Sequence, residues 1–427
     1  MRILIHAGNF FPEKTGIGKY TGEMAGWLSR QGHQVDVITG FPYYPEWCLD
    51  SRYRGTGFLI ESWESVQIHR VPHYIPRDGK VNSLRRMLVD LTLFMASLPV
   101  WARLCFPRRR RPHVIITVCP PLISGVWPAL LSCVTGTPWI YHVQDFQVDA
   151  AVRLGMIRQS LFGKALYALE NLLIRSATRV SSITNAMCKL AVSKGAKAEN
   201  VLCIPNWSDT HSIHPIDRLT PFRRELNVGE DQVLVMYAGA MGRKQGLSLV
   251  VDAAERLMRD PRFVFVMIGS GSDAQELRLE AQGRGLSNMR LLPLQELQRL
   301  NQVLGSADIH LVVQKADAAD LVMPSKLTNI LAAGRPAIVT AAEGTELWDV
   351  TAGQGTGLAV PPEDILAFVN ALLTLAGDSA LRAQLGSTAR LYAEQNIEQD
   401  AVLGRLQHIL MSLNKAEGLQ PSGHSRS

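Results

Sequence analysis

The stretch Val233-Leu234-Val235-Met236-Tyr237-Ala238-Gly239-Ala240-Met241-Gly242-Arg243-Lys244-Gln245-Gly246-Leu247 decides the fold. Val233–Ala238 is an unbroken apolar run, short enough for a buried strand and closed by glycine. The amphipathic pattern of Ser248–Arg259 then reads as a helix. Between them lies a glycine loop with adjacent cations, Arg243 and Lys244. Glycines let a backbone approach a diphosphate and the cations neutralise it. The alternative is a basic surface turn.

The same alternation continues downstream. Phe263–Ile268, Met289–Leu292, Ile309–Val313 and Ala337–Thr340 read as strands, and Ala274–Gln282, Glu296–Leu304 and Lys326–Ala333 as helices. It also runs upstream, through strands Ile3–Ala7, Val35–Thr39, Val114–Cys119, Trp139–Val143 and Arg179–Ile183. The helix Tyr20–Arg30 keeps Tyr20, Met24, Trp27 and Leu28 on one face. Such alternation gives parallel sheets with crossover helices. The expected class is α/β, with two doubly wound Rossmann-like domains facing a central cleft, and a chain of 427 residues is long enough for both. The expected domains span 1–205 and 206–385, with a hinge near Pro205, Pro215 and Pro221. A helix over 386–413 is expected to pack back on the first domain, and 414–427 to be disordered. Ligands of such sheets bind beyond the carboxyl ends of the strands.

Composition narrows the class. Apolar residues make up 47% of the chain and charged residues 19%, which excludes wholesale disorder. The net charge of +6 suits a polyanionic partner, or simply a solvated basic surface. The six cysteines include no C-x-x-C pair, so neither a disulfide framework nor a zinc site is expected, and a reducing compartment fits. Met1–His6 reads at once as a strand, without the pattern of a signal peptide before it.

Three further loops are candidate sites. Gly8–Tyr20, after the first strand, carries Gly16 and Gly18 into a helix whose N-terminus offers N–H groups to an anion; a plain turn is the alternative. Met323–Pro336 carries Ser325 as expected N-cap, then Lys326, Leu327 and Asn329, with Gly334 and Pro336 as stops. A cation in the first turn opposes the helix dipole, and an anion held there would resolve the conflict. His142 and Asp145 end a first-domain strand, where a lone His is commonly structural. The pairs Asp145/Asp149 and Asp317/Asp320 are available carboxylates without a metal signature.

Ser83–Pro112 is apolar in the middle and basic at both ends. Asp90, Pro99 and Arg103 interrupt it, so an interfacial helix is expected rather than a span. Arg85, Arg86, Arg108, Arg109, Arg110 and Arg111 would meet anionic headgroups, with Trp101 and Phe106 at the boundary. A buried crossover helix is the alternative.

The loops, in this order, resemble family 4 of the retaining glycosyltransferases over nearly the whole chain. Gly239–Leu247 resembles that family's phosphate loop, Met323–Pro336 the helix of its E-x7-E motif, and Pro205-Asn206-Trp207-Ser208-Asp209 its P-N-G-V-D segment. The runs Thr15–Met24, Pro42-Tyr43-Tyr44-Pro45, Leu311–Lys315 and Pro324–Ala332 are closest to a member acting in colanic acid biosynthesis. The resemblance implies a GT-B fold, retention of anomeric configuration, and neither cofactor nor catalytic metal. It implies a nucleotide diphosphate sugar, first GDP-fucose, and a polyprenyl-diphosphate-linked acceptor at the cytoplasmic face of the inner membrane. The sequence departs from the family at Ala240 and Gln245, where the family has Arg and Lys. It departs again at Leu321 and Asn329, where the family has its two Glu; Asp320 adjoins the first. Rival classes are an epimerase on the same fold and a non-catalytic sugar-nucleotide-binding scaffold. A nucleic-acid partner is not expected, since no recognised binding module is present.

Overall fold

The computed structural model describes residues 1–13, 16–44, 47–79, 82–149, 161–316 and 324–418. Contacts divide the chain into two units: Met1–Pro205 with the chain from Leu403 onward, and Asn206–Val402.

The first unit is built on eight strands: β1 (Arg2–His6), β2 (Gln34–Gly40), β3 (Leu59–Trp63), β4 (Val66–Val71), β5 (Val114–Cys119), β6 (Trp139–Val143), β7 (Arg179–Ser182) and β8 (Val201–Cys203). Their order is β3-β4-β2-β1-β5-β6-β7-β8. Only β3 runs antiparallel to its neighbour. Ile3 pairs with both Val35 and Val114 at the centre, where Ile3, Leu4, Ile5, Val35 and Val37 are buried, as the continuous apolar runs require of a doubly covered sheet. The β3–β4 hairpin escapes the sequence reading because it lies at the sheet's edge. β3 is only partly buried, and β4 carries Gln67, His69 and Arg70 in place of an apolar run. Arg70 is nonetheless buried, and its guanidinium donates to Glu61, to the Gly40 carbonyl (3.1 Å) and to the Phe11 carbonyl (2.7 Å). It thereby ties the loops after β1 and β2 together.

The crossover from β4 to β5 is the helix Ser83–Cys105. Asn82 caps it, accepting from the Arg85 N–H at 2.9 Å. The helix runs on through Asp90, Pro99 and Arg103, the residues that interrupt its apolar stretch.

The second unit holds β9 (Val233–Ala238), β10 (Phe263–Ile268), β11 (Met289–Leu292), β12 (Ile309–Val312), β13 (Ala337–Thr340) and β14 (Gly357–Val360), all parallel. The order β11-β10-β9-β12-β13-β14 reverses direction between β9 and β12. Such a switch point leaves a crevice beyond the strand ends. One face of this sheet packs Val235, Tyr237, Phe265 and Leu311 against Val250, Phe368 and Leu372. The other packs Val312 and Val339 against Leu327, Ile330 and Leu331.

The helix expected over 386–413 is two helices, Ser379–Tyr392 and Gln399–Gly418, with a π turn at Ala393–Ile397. Arg390 anchors the first of these helices within the second unit, donating to the carbonyls of Ile213 (2.9 Å), Ala332 (2.8 Å) and Thr210 (3.1 Å). Glu398 starts the second by accepting from the N–H groups of Asp400 (2.9 Å) and Ala401 (2.6 Å). Residues 414–418, expected to be disordered, continue that helix; 419–427 lie outside the described residues.

Candidate functional site

The loops beyond β9, β10 and β12 meet at the switch point. Met241 N–H donates to the Ser270 carbonyl (2.8 Å), and Asp273 N–H to the Met241 carbonyl (3.0 Å). A Cβ on Gly269 would lie 1.9 Å from the Gly239 oxygen, and one on Gly271 2.1 Å from the Met241 oxygen. The two loops therefore touch backbone to backbone, which only glycine permits. The sequence reading passed over Gly269-Ser270-Gly271. Its signal was available: two glycines directly after an apolar strand of the same sheet.

Lys326 sits in the middle of this arrangement. Its Nζ is buried, has no hydrogen-bond partner among the described residues, and stands 3.7 Å from the centroid of the Tyr237 ring. A Cβ on Gly239 would meet Lys326 Cε and Nζ at 2.9 Å. Burial lowers the lysine's pKa to about 7. An ammonium group held this way is costly without a counter-charge, and the ring face offsets only part of the cost. Lys315 joins the same loop: its N–H donates to the Lys244 carbonyl (3.0 Å) and its stem packs on Gly246. Arg243, Lys244 and Lys315 are exposed. Two exposed cations of the glycine loop, Arg243 and Lys244, are thus joined by Lys315 and the buried Lys326 Nζ packed against it, an arrangement able to hold a diphosphate.

Several expected contacts are corrected. The Gly239 and Gly242 N–H groups donate within the protein, to the Ile268 carbonyl (2.9 Å) and to Gln245 Oε1 (3.1 Å). These glycines make room rather than present donors. Gln245, standing where the family has Lys, closes the loop instead of adding charge. Ser325 is exposed, has helical backbone angles and makes no capping bond. Leu327 is buried in the apolar core and its N–H donates to the Pro324 carbonyl (3.0 Å). Asn329 accepts from the Ser208 hydroxyl (2.9 Å), joining the helix Lys326–Ala332 to the Pro205–Asp209 segment. Asp317, Asp320 and Leu321 lie outside the described residues.

In the first unit, His142 is not positioned for chemistry. Its ring is buried between β6 and β7, with Nδ1 2.9 Å from the Ser181 hydroxyl and Nε2 3.2 Å from Gln144. Burial lowers its pKa to about 4, so it is neutral and structural. Asp145 is half-buried just past β6. Asp149 pairs with Lys194 at 2.7 Å, and Lys194 also reaches Glu170, so that carboxylate serves an internal ion pair. Gly16, at φ +59°, allows the turn into the helix Gly16–Arg30. Gly18 faces Glu13, not an open anion site: a Cβ there would lie 2.8 Å from Glu13 Oε2. A carboxylate thus stands at this helix terminus, where an anion would otherwise be favoured. For a metal, His211, Glu398 and Asp400 bring ligand atoms within 4.8 Å of one another, but Glu398 is already engaged as a helix cap.

The model of the glycosyl transferase 4-like domain matches residues 15–207, and that of glycosyl transferases group 1 matches residues 220–392. The chain is 38% identical, over 94% of its own length and 98% of the other's, to WcaI of Escherichia coli (strain K12), a protein assigned as a colanic acid biosynthesis glycosyl transferase. The chain belongs to the family 4 glycosyltransferases. Its fold is GT-B. Sucrose-phosphate synthase from Thermosynechococcus elongatus superposes with a TM-score of 0.75 at 18% identity, covering 97% of this chain and 99% of that one. Anabaena HepE, solved in complex with UDP and glucose, superposes with a TM-score of 0.71 at 15% identity, covering 96% and 100%.

The surface of this glycosyltransferase carries the residues expected at a membrane, with three corrections. Trp101 is 1% exposed and packs edge-on to His6, so it cannot sit at a lipid boundary. Arg85 is ion-paired with Asp78 at 2.6 Å. Arg111 is half-buried, its guanidinium reaching the carbonyls of Cys105 and Thr135 (both 3.4 Å). Arg86, Phe106, Arg108, Arg109 and Arg110 are exposed. The sequence reading missed which face of the helix is outermost. Leu84, Met87, Leu88, Leu91, Met95 and Leu98, spaced three and four apart, form one exposed apolar stripe, opposite buried Val89, Leu93, Ser97 and Val100.

Proposed function

We propose that the second unit binds a nucleoside diphosphate sugar through Lys326, Arg243, Lys244 and Lys315, and that the enzyme transfers the sugar with retention to a lipid-linked oligosaccharide in exopolysaccharide synthesis. The observation that carries this reading is the Lys326 Nζ at the switch point, buried and without a hydrogen-bond partner among the described residues. It is the group that a diphosphate would complete. These fixed cations stabilise charge as it develops on the departing diphosphate, so turnover needs no divalent cation. The leaving phosphate itself takes the proton of the acceptor hydroxyl, which accounts for a site with Asn329 where the family has Glu. The assignment of the E. coli relative to colanic acid biosynthesis supports an exopolysaccharide product. GDP-fucose is the first donor to test, and UDP-glucose the comparison, since the HepE structure holds UDP and glucose.

The exposed stripe on Ser83–Cys105 supports docking on an anionic membrane at its cytoplasmic face. The helix is long and apolar enough to cross a bilayer, with a mean hydropathy of 1.5 in its 18-residue window, but 39% of that window is buried within the protein. One face therefore belongs to the fold, and the other lies along the interface.

Incubation with GDP-fucose or UDP-glucose and a membrane lipid extract, with and without EDTA, tests the reading. Sugar transferred to lipid in both conditions is expected. Free epimerised sugar nucleotide would make the protein an epimerase, and tight binding without turnover a scaffold. Loss of transfer in EDTA, restored by magnesium, would overturn the metal-independent mechanism.

A further inference from the structure

The exposed apolar stripe on Ser83–Cys105 has neighbours that continue it. The crossovers from β4 to β5, β5 to β6 and β6 to β7 all step the same way along the sheet. With right-handed connections their helices, Ser83–Cys105, Val126–Thr135 and Leu161–Ser176, lie on one face. The helix Gly16–Arg30 steps the other way, from β1 to β2, and covers the opposite face. Trp127 joins the first two helices: its Nε1–H donates to the Phe94 carbonyl (3.0 Å), and its ring stacks on that of Phe94, centroids 4.6 Å apart. Leu173 of the third helix reaches Gly125, just before the second, where a Cβ would lie 3.1 Å from it.

The outward side of these helices is apolar. Val126–Thr135 contains no charged residue, and its exposed residues are Leu130, Cys133 and Val134. On Leu161–Ser176, Leu161, Ala165, Ala168 and Leu172 are exposed at spacings of four, three and four, which puts them on one stripe. At the sheet's edge Ile60 is exposed on the same side, since it pairs with His69, whose ring Arg103 of the first helix reaches at 3.1 Å. Gly16–Arg30, by contrast, exposes no large apolar side chain.

Charge is just as one-sided. The acids of the three helices are Asp90, half-buried, and Glu170, buried against Lys194 at 2.5 Å. Arg86, Arg103, Lys164 and Arg175 are exposed, so every exposed charge among the described residues of these helices is positive. A protein partner of this breadth would be met by hydrogen-bonding groups among the apolar ones. Apolar side chains edged only by cations fit instead the headgroup–acyl boundary of an anionic bilayer.

We propose that the three helices form one membrane-embedded platform, with Val126–Thr135 at its centre, so that the first unit is seated as a monotopic body and not by Ser83–Cys105 alone. The platform rests on the membrane docking proposed above and extends it to two helices that lie apart from the basic run Arg108–Arg111.

Environment-sensitive labels test it on the full chain. With the exposed Cys48 and Cys203 changed to Ser, a nitrobenzoxadiazole label on Cys133 reports the second helix. Leu172→Cys and Arg30→Cys, each combined with Cys133→Ser, report the third helix and the opposite face. On vesicles of phosphatidylglycerol and phosphatidylethanolamine, the labels at 133 and 172 should shift to shorter wavelength and be quenched by brominated acyl chains. The label at 30 should do neither. Leu130→Ser/Val134→Ser should weaken sedimentation with these vesicles at least about tenfold, and by the same factor at high salt. Melting temperatures establish that each variant is folded. A label at 133 or 172 that stays in water on bound, folded protein overturns the platform and leaves docking by Ser83–Cys105 standing. A wild type that stays in the supernatant removes both. Burial of Cys133 without lipid, in a dimer seen by sedimentation velocity, assigns the face to a second copy and also overturns the platform.

Discussion

The Lys326 ammonium stands over the Tyr237 ring at 3.7 Å, and its Nζ and Cε lie 2.9 Å from where a Cβ on Gly239 would be, a residue that also takes φ +151°. Gly239→Ala should therefore displace Lys326 and weaken GDP or UDP binding about tenfold or more, while the protein still folds. Gly269→Ala meets backbone rather than a flexible side chain, 1.9 Å from the Gly239 oxygen, and should fail to fold. Calorimetry and thermal melts separate the two cases. Wild-type affinity in Gly239→Ala would disprove the arrangement.

The same lysine makes stability and binding depend on pH. Its pKa falls from 10.5 to about 7 on folding. Between those values the unfolded chain holds a proton that the folded chain has released, so this group's contribution to stability rises with pH across the window. Lys326→Met should therefore stabilise the ligand-free enzyme most below about pH 7, and progressively less towards 10.5. Nucleotide binding should take up a proton, and affinity should decline as pH rises above about 7. Melts at pH 6 and 9, and binding heats in two buffers of different ionisation enthalpy, measure both. A methionine variant no more stable than wild type at pH 6 would remove the argument.

The four cations should separate by salt. Charge-assisted bonds are worth roughly 1.5–3 kcal/mol, so Lys326→Ala should weaken nucleotide binding about 10–150-fold at any ionic strength. Arg243, Lys244 and Lys315 are exposed and screened. The losses in Arg243→Ala/Lys244→Ala and in Lys315→Ala should be clear at low salt and fade as salt is raised. Unchanged binding in every variant would show that the diphosphate lies elsewhere.

Strands that are buried on both faces, such as Val233–Ala238 and Val114–Cys119, announce themselves as apolar runs, and their alternation with helices made both doubly wound sheets legible. In the hairpin of β3 and β4, the edge strand β3 is only partly buried and the buried β4 carries His69 and Arg70, so neither left an apolar run to read. At the site, Lys326 was legible as a charge in conflict with its helix. Its neighbours were not, because whether a loop N–H is free depends on the fold around it: Gly239 donates to Ile268, on the next strand of the sheet. His142 misled for the same reason, since Ser181, which satisfies it, is 39 residues away.

His142→Ala should accordingly lower stability, by about 1–3 kcal/mol for the buried Ser181 and Gln144 groups left unpaired, and leave turnover of the folded enzyme nearly unchanged. The pH–rate profile should show no inflection that moves with this residue, because its pKa of about 4 keeps it neutral throughout the working range. A collapse of kcat in a variant that melts normally would return His142 to the catalytic machinery.

The helix Ser83–Cys105 makes a sharper prediction about membranes than its composition alone. Val89, Leu93 and Val100 are spent on the fold, so their loss should unfold the protein. Leu91, Met95 and Leu98 are exposed, so changing all three to Ser should leave the melting temperature intact. On a lipid surface the two groups trade importance: burial of the exposed stripe supplies apolar adhesion, and Arg108, Arg109 and Arg110 supply attraction to headgroups of about 1 kcal/mol each. Sedimentation with liposomes of graded anionic content should therefore show wild type binding at low salt. The triple Ser variant of the stripe should lose binding at every lipid composition. Arg108→Ser/Arg109→Ser/Arg110→Ser should lose chiefly the dependence on anionic lipid, weakening by roughly 150-fold on the most anionic vesicles. Trp101→Phe should bind as wild type, because that ring faces His6 rather than solvent. If the wild type stays in the supernatant at low salt, the stripe is not a lipid-binding face.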